Sequence, residues 1–381
     1  MPNDFIRIVI LFCLVTLTSC SEQSNEQGFV SENPTFGIWQ DLSEPPITFE
    51  LVQTFGDNEA LMLPQTYQLQ GPVTDQNNNL YVIDGQNGIL YSFDPDGNLR
   101  WQTGREGRGP GDFEQPRGLV TDGEYLYTAN VSGSRIDQFD MDGNFITSTS
   151  LESLDLSFNA VEGFLDDSLL VTSSTVMGQL ARQVTLLNTR DNLNIVNQFT
   201  IESSSNTDLP EGLGYSFSIQ VIDSLIAAGN IQDYKIHFFN SQGENVKSIT
   251  RDFDKLMRPG FVQSGSSRSI RGYGSLNAPI PLTSGFYLTT LNWPTNVDDP
   301  DRYLERSQRE DSRVPPITFK NSLDLYRSDG TLLYSLEEEG RTPNIGSLAY
   351  VDTQGNIYTK IDDPFPQIRK YAVTISSPEN N

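Results

Sequence analysis

From residue 47 onward, apolar and polar residues alternate along the chain in short runs separated by turn residues. The stretch "LYSFDPDGNLRWQ" begins at Leu90, and "IDQFDMDGNFITS" begins at Ile136, 46 residues later. Each is an alternating strand, a turn centred on Asp-Gly, and a second strand; glycine suits such turns because it adopts positive φ cheaply. Weaker copies begin at Val184, Ile236 and Leu323, and a partial one at Ile368 carries only the first strand before the chain ends. Upstream of each copy lies another short strand, at 79–84, 125–130, 168–173, 224–229, 285–290 and 356–361. Before most of these comes a further apolar segment, such as 117–122 or 345–352. No stretch carries a convincing amphipathic helical period. The repeating unit is therefore four strands in about 45 residues.

Four-stranded units at this period predict a β-propeller, an all-β fold whose antiparallel blades stand around an axis. Six units are present. The sixth lacks its outermost strand, and a spare alternating strand, "ITFELVQTFG" (47–56), stands at the other end. If the spare strand completes the last blade, the ring closes and no sheet edge is left bare. The propeller is expected over 46–375, with a disordered tail at 376–381.

In blades one and two, "GREGRGPGDFEQPRG" (104–118), "LYVID" (80–84) and "NGILYSFDPDGN" (87–98) resemble the NHL-repeat propellers, in which a glycine-rich loop precedes such a strand. Glu106-Gly107-Arg108-Gly109-Pro110 has a counterpart in Glu339-Gly340-Arg341-Thr342-Pro343. As a whole the chain resembles uncharacterised six-bladed lipoproteins of Bacteroidetes-like bacteria. That resemblance implies a fold and an envelope location, without an established chemistry.

The amino terminus supports the location independently. The apolar run Ile8–Leu17 has the length of a signal-peptide core and is short for a membrane span. It ends in Leu17-Thr18-Ser19-Cys20, which resembles a bacterial lipobox. Residues 1–19 are then a lipoprotein signal peptide and Cys20 the lipidation site, with Cys13 lost on cleavage. Two or three acyl chains anchor firmly, each buried methylene contributing about 0.8 kcal/mol. Ser21 resembles an outer-membrane sorting signal. Residues 20–45 are polar and aperiodic, and are expected to be a flexible tether whose ends lie roughly 25–30 Å apart.

Composition narrows the chemistry. There are 50 acidic and 25 basic residues, a net charge of −25. This argues against nucleic-acid partners, which need a cationic surface, and against broad attraction to anionic lipid. Both cysteines lie within the first twenty residues, so the rest of the chain has neither disulfides nor thiolate metal sites. The one histidine, His237, falls in mid-strand and offers little to a triad or a zinc site. Asp94-Pro95-Asp96-Gly97 lacks the spacing of a calcium loop. No cofactor or metal is expected, and the protein is expected to be a monomer.

The glycine-rich loop at 104–118 lacks the Lys-Ser/Thr pair and the following helix of a phosphate cradle. A passage from the outer strand of one blade to the inner strand of the next explains it better. With strands a to d running outward from the axis, a–b and c–d turns share one face, while b–c and d–a connections share the other. The long segments 104–118, 251–279 and 292–316 all fall on the second face, where binding is expected. This face carries Arg105, Arg108, Arg117, Arg258, Arg268, Arg271 and Arg341. Guanidinium groups match carboxylates and phosphates in bidentate fashion. The expectation is a ligand-binding or scaffolding module for an anionic glycan or an acidic envelope partner. The arginines could instead pair with Glu106, Asp112, Glu114 and the acids of 298–311. A metal-dependent hydrolase, a lactonase or a glycosidase with carboxylates at the axis is the alternative reading.

Overall fold

The turns that punctuate the sequence are where the strands reverse. In the computed structural model, Asp94 Oδ1 accepts from the backbone N–H of Asp96 (3.1 Å) and Asn98 (2.8 Å), and Gly97 takes φ +85°. Asp140 does the same for Asp142 and Asn144, with Gly143 at φ +83°, and Asn240 for Gln242 and Glu244, with Gly243 at φ +82°. A short acceptor two to four residues before an amide closes the turn locally, so the turn is specified by residues close in sequence. The structure describes residues 28–376 apart from 57–60, 133, 155, 157–159, 180, 203–216, 231–232, 265–266, 283–284 and 309–313.

Six antiparallel blades follow one another along the chain, and Gly260–Ser264 with Ser267–Arg271 forms a separate two-stranded sheet between blades four and five. Blade one comprises Leu69–Thr74, Leu80–Asp84, Ile89–Phe93 and Leu99–Thr103. Blade two runs from Pro116–Thr121 to Phe145–Ser150, blade three from Ala160–Phe164 to Asn194–Glu202, and blade four from Ile219–Ile222 to Asn245–Arg251. In blade five the inner strand is split into Ser275–Leu276 and Ile280–Leu282, both paired with Phe286–Pro294. Phe319–Arg327 and Leu332–Glu339 complete that blade. The six inner strands touch in sequence, and the sixth, Ser347–Val351, meets the first. They pass so closely that a Cβ on Gly118, which has φ +77°, would lie 2.1 Å from the Val161 carbonyl oxygen. Only glycine fits there.

The ring closes as the sequence predicts. Ile47–Phe55 pairs antiparallel with Gln367–Ile375, the third strand of blade six, with Ile47 opposite Ile375 and Phe55 opposite Ile368. The seam is sealed by a core drawn from both chain ends: Phe55, Leu80, Val82, Phe93, Tyr358 and Ile368, none more than 1% exposed. Phe55 meets Phe93 edge-on at 6.0 Å.

Two expectations are corrected. The first is the free tether over 20–45. Phe29–Asn33 pairs parallel with the outer strand of blade four, making that sheet five-stranded. Asn33 then bridges blades, donating to the carbonyls of Thr250 and Gly330 (both 3.0 Å) and accepting from Leu332 N–H (2.7 Å). The Trp39 N–H bonds to Leu333, and its indole is buried between blades five and six. Residues 28–45 are thus a belt around the outside of the ring. They gave no periodic signal because only a few side chains hold it, the rest of the attachment being backbone pairing. Residues 1–27, which include the expected signal and Cys20, lie outside the described residues, as does 377–381 of the expected tail.

The second correction is a helix, Pro300–Gln308, inside the 292–316 insertion. Leu304 buries against Tyr273 and Val297, so the helix packs on the small hairpin that begins at Gly260–Ser264 and not on a blade, and it is too short for a clear period.

Buried charge is neutralised where blades meet. Arg251 and Asp324, both 0% exposed, pair at 2.7 Å across blades four and five. Tyr234 Oη donates to the same carboxylate at 2.5 Å, and burial followed by the Asp324 charge pushes the Tyr234 hydroxyl well above its ordinary range.

If the seam carries the fold, removing its central ring is costly. Phe55→Ala should lower the unfolding free energy by about 3–5 kcal/mol, read by urea denaturation. Thr48→Ala, on the exposed side of the same strand, should change it by less than about 0.5 kcal/mol. Equal losses would contradict this account of the seam.

Candidate functional site

With the ring closed, the two faces separate as the strand alternation requires. The a–b and c–d turns, among them 75–79, 94–98, 141–144 and 352–356, are short and lie on one face. The connections 104–115, 252–274, 295–318 and 340–346 lie on the other.

On that long-loop face the glycine-rich loop is a fixed connection. Arg135, one blade along, donates to the carbonyls of Arg108, Gly109 and Asp112 at 2.8–2.9 Å while its Nε binds the buried Asp137. Asn130 holds Asp112 O (2.8 Å) and Glu114 N (2.9 Å). Phe113 is buried and stacks on Phe139 at 5.4 Å. The loop's backbone acceptors and its one aromatic ring are therefore already engaged.

The seven arginines are spread over separate seams. Arg105 pairs with Asp112 at 3.0 Å, and Arg108 with Glu114 at 2.5 and 3.1 Å, within their own loop. Arg258 forms a bidentate pair with Asp301 of the helix (2.8 and 2.6 Å). Asp301 also accepts from Phe261 N–H, and its carboxyl is held below its ordinary value, chiefly by Arg258. Segment 252–274 and the insertion thus lock into one cap with a small core of its own around Tyr273, Val297 and Leu304. Arg271 sits 5.7 Å from the Tyr273 ring centre. Arg268 lies in the strand Ser267–Arg271, its side chain outside the described residues. Arg117, exposed on the inner strand of blade two, makes no ion pair among the described residues, and Arg341 lies 5.0 Å over the Phe319 ring.

What the face does offer is a pair of adjoining cavities between blades five, six and one. The first, about 220 Å³, is lined by Ser275, Asn277, Thr290, Asn292, Arg341, Thr342 and Ser347, with Leu291 and Pro343. Its amides are held by neighbours: Asn277 Nδ2 donates to Thr290 Oγ1 (2.7 Å) and Asn292 Nδ2 to Ser275 Oγ (2.8 Å). Asn292 Oδ1 is buried without a hydrogen-bond partner among the described residues. Asn321, from below, donates to the Thr342 carbonyl at 3.0 Å and fixes the loop that carries Arg341. The second cavity, about 390 Å³, shares Ser347 with the first. It is lined by Thr66, Tyr67, Gly71, Leu348, Ala349 and Lys360.

Lys360 was not singled out by the sequence reading, although the signal was there. "NIYTKI" (356–361) repeats "NLYVID" (79–84), and Lys360 stands where blade one has Ile83. Its Nζ donates to Leu69 O at 2.7 Å. Burial pulls the amine down to about 8. His237 lies in mid-strand, with Nδ1 2.9 Å from Ser248 Oγ, and burial lowers its pKa further. Among the described residues, no three of His, Cys, Asp and Glu lie together as metal ligands would.

The comparisons with known proteins agree on the fold. A family model described as a 6-bladed beta-propeller, DUF5128, matches residues 67–207, which are blades one to three. No curated protein matches. Among solved structures, the chain is similar to a protein of Bacteroides fragilis described as exported: 10% identity, TM-score 0.53, covering 91% of this chain and 100% of that one. It is also similar to a DUF4221 family member from Bacteroides vulgatus: 9% identity, TM-score 0.53, covering 86% and 99%. At such identities the likeness is one of fold.

The Lys360 environment has a pH signature. Folding lowers the amine from its ordinary 10.5 to about 8. Between those values the unfolded chain binds the additional proton, so stability rises with pH across the window. In chloride buffer, Lys360→Met should raise Tm at pH 7, and the gain should shrink between pH 8 and 10.5. A gain that does not vary with pH would contradict the buried-ammonium account.

Proposed function

We propose that this protein is an exported, lipid-anchored propeller that binds a polar ligand bearing an anionic group on its long-loop face. The carrying observation is the pair of cavities meeting at Ser347. Each presents one cation, Arg341 or Lys360, that no carboxylate neutralises among the described residues, set among hydroxyl and amide groups. Hydroxyls and amides on rigid strands suit a hydroxylated ligand such as an acidic sugar, and a cation on one side orients it. The lining contains no carboxylate and only two amides, which favours binding over metal-assisted hydrolysis.

Location rests on the Leu17–Cys20 quartet and on the fold shared with an exported Bacteroides protein. Because residues 28–45 are strapped to the ring, only the few residues between Cys20 and Gly28 separate the anchor from the propeller. The domain would stand close to the membrane, within about 25–30 Å even if that link were fully extended.

Two experiments test the reading. Cys20→Ala should move the protein from the membrane to the soluble fraction and abolish incorporation of labelled fatty acid. On an array of acidic and neutral oligosaccharides, the wild type should retain acidic members, and Arg341→Met should weaken binding about tenfold or more. That matches the loss of a charge-assisted hydrogen bond worth about 1.5–3 kcal/mol. Retention unchanged in Arg341→Met, or no preference for acidic members, would contradict the ligand assignment.

A further inference from the structure

Lys360, half-buried at the cavity wall, differs from the most deeply buried cations of this protein. Arg135, Arg182, Arg251 and Lys370, whose side chains are 12%, 14%, 0% and 10% exposed, each meet a carboxylate: Asp137, Glu162, Asp324 and Asp352, at 2.7–3.0 Å. Lys247, which has no direct ion pair among the described residues, feels Asp329 and Asp223 and lies over the rings of Phe238 and Tyr287. Among the described residues Lys360 has none of this: its amine bonds there only to the Leu69 carbonyl, and burial accounts for its altered titration.

The titratable groups on the surrounding segments are otherwise engaged or neutral. Asp362 accepts from Thr66 N and Oγ1, both at 2.8 Å. Arg369, on the neighbouring strand, bonds to Gln367. Tyr67 lines the cavity and is largely exposed. A mostly buried ammonium with one acceptor keeps two N–H donors unspent, and a charge left in that state is costly. An apolar residue, as at Ile83 in blade one, would serve the fold better.

We infer that Lys360 is the anchor for a compact oxyanion, a carboxylate or phosphate group of the ligand, which enters the cavity between blades six and one and completes the ammonium's hydrogen bonding. Ser347 supplies a hydroxyl donor beside it. The remainder of the ligand extends past Ser347 toward Asn277, Asn292 and Arg341. This deepens the ligand reading above and rests on it.

The test uses the full chain at pH 7 and constant ionic strength, with sodium glucuronate and inorganic phosphate as probes and chloride as the control. Calorimetric titration should detect at least one probe, and the one that binds identifies the oxyanion as carboxylate or phosphate. Lys360→Met should lose that binding at least tenfold, while Arg341→Met should weaken glucuronate and leave phosphate nearly unchanged. In parallel, trace acetylation read by mass spectrometry should show the Lys360 amine titrating near 8 in chloride and at least one unit higher with the bound probe. This readout needs no variant, so it holds even if Lys360→Met fails to fold. Binding unaltered in Lys360→Met, an amine titration unmoved by saturating probe, or no binding of either probe above chloride would overturn the proposal. Failure here with acidic oligosaccharides still retained through Arg341 would relocate the anion and leave the broader ligand reading standing.

Discussion

Six twisted sheets around an axis leave one seam where the chain's two ends must meet, and everything else in this molecule depends on how that seam is joined. Here it is joined by backbone hydrogen bonds. Ile47–Phe55 supplies the fourth strand that the last blade lacks. Buried aromatic rings on both sides then pack across the join. An open arrangement would expose strand edges and half of an apolar core. The belt at 28–45 adds a second fastening on the outside, bridging blades four, five and six through Asn33 and Trp39.

Closure also decides where function can reside. Once strand direction is fixed around the ring, the a–b and c–d turns fall on one face and the b–c and d–a connections, the long ones 104–115, 252–274 and 295–318 among them, on the other. Long connections are not automatically free to bind. The glycine-rich loop is stapled by Arg135 and plugged by Phe113, and the cap is clamped by Arg258 and Asp301. The polar groups that line the two cavities sit instead on the inner and second strands of blades five and six, on the loop 340–346 and on the segment before blade one, where rigid neighbours hold them.

The fold was legible because most blades repeat a local rule: an apolar-alternating strand, an acidic or amide turn, a glycine at positive φ; blade three uses Asn192 and Leu193 at positive φ instead. Those signals act within four or five residues and survive without any alignment. The belt was illegible because its attachment is mostly parallel backbone pairing, which leaves no side-chain period. The arginines were legible as a group on one face, but their partners were not. Asp112, Glu114 and Asp301 could be offered as partners from sequence, yet pairing depends on loop geometry. Lys360 stood in the open, as a charge in an apolar strand position, and became meaningful only when its lack of a carboxylate could be seen.

Hydrogen exchange across the seam tests the account most directly. If the ring is closed as described, the amides of 47–55 and 367–375 that pair with each other should exchange together, at a rate close to that of global unfolding and as slowly as the core strands of blade one. Exchange of 47–55 within seconds, while 367–375 stays protected, would contradict closure by this strand and with it the assignment of the loops to one face.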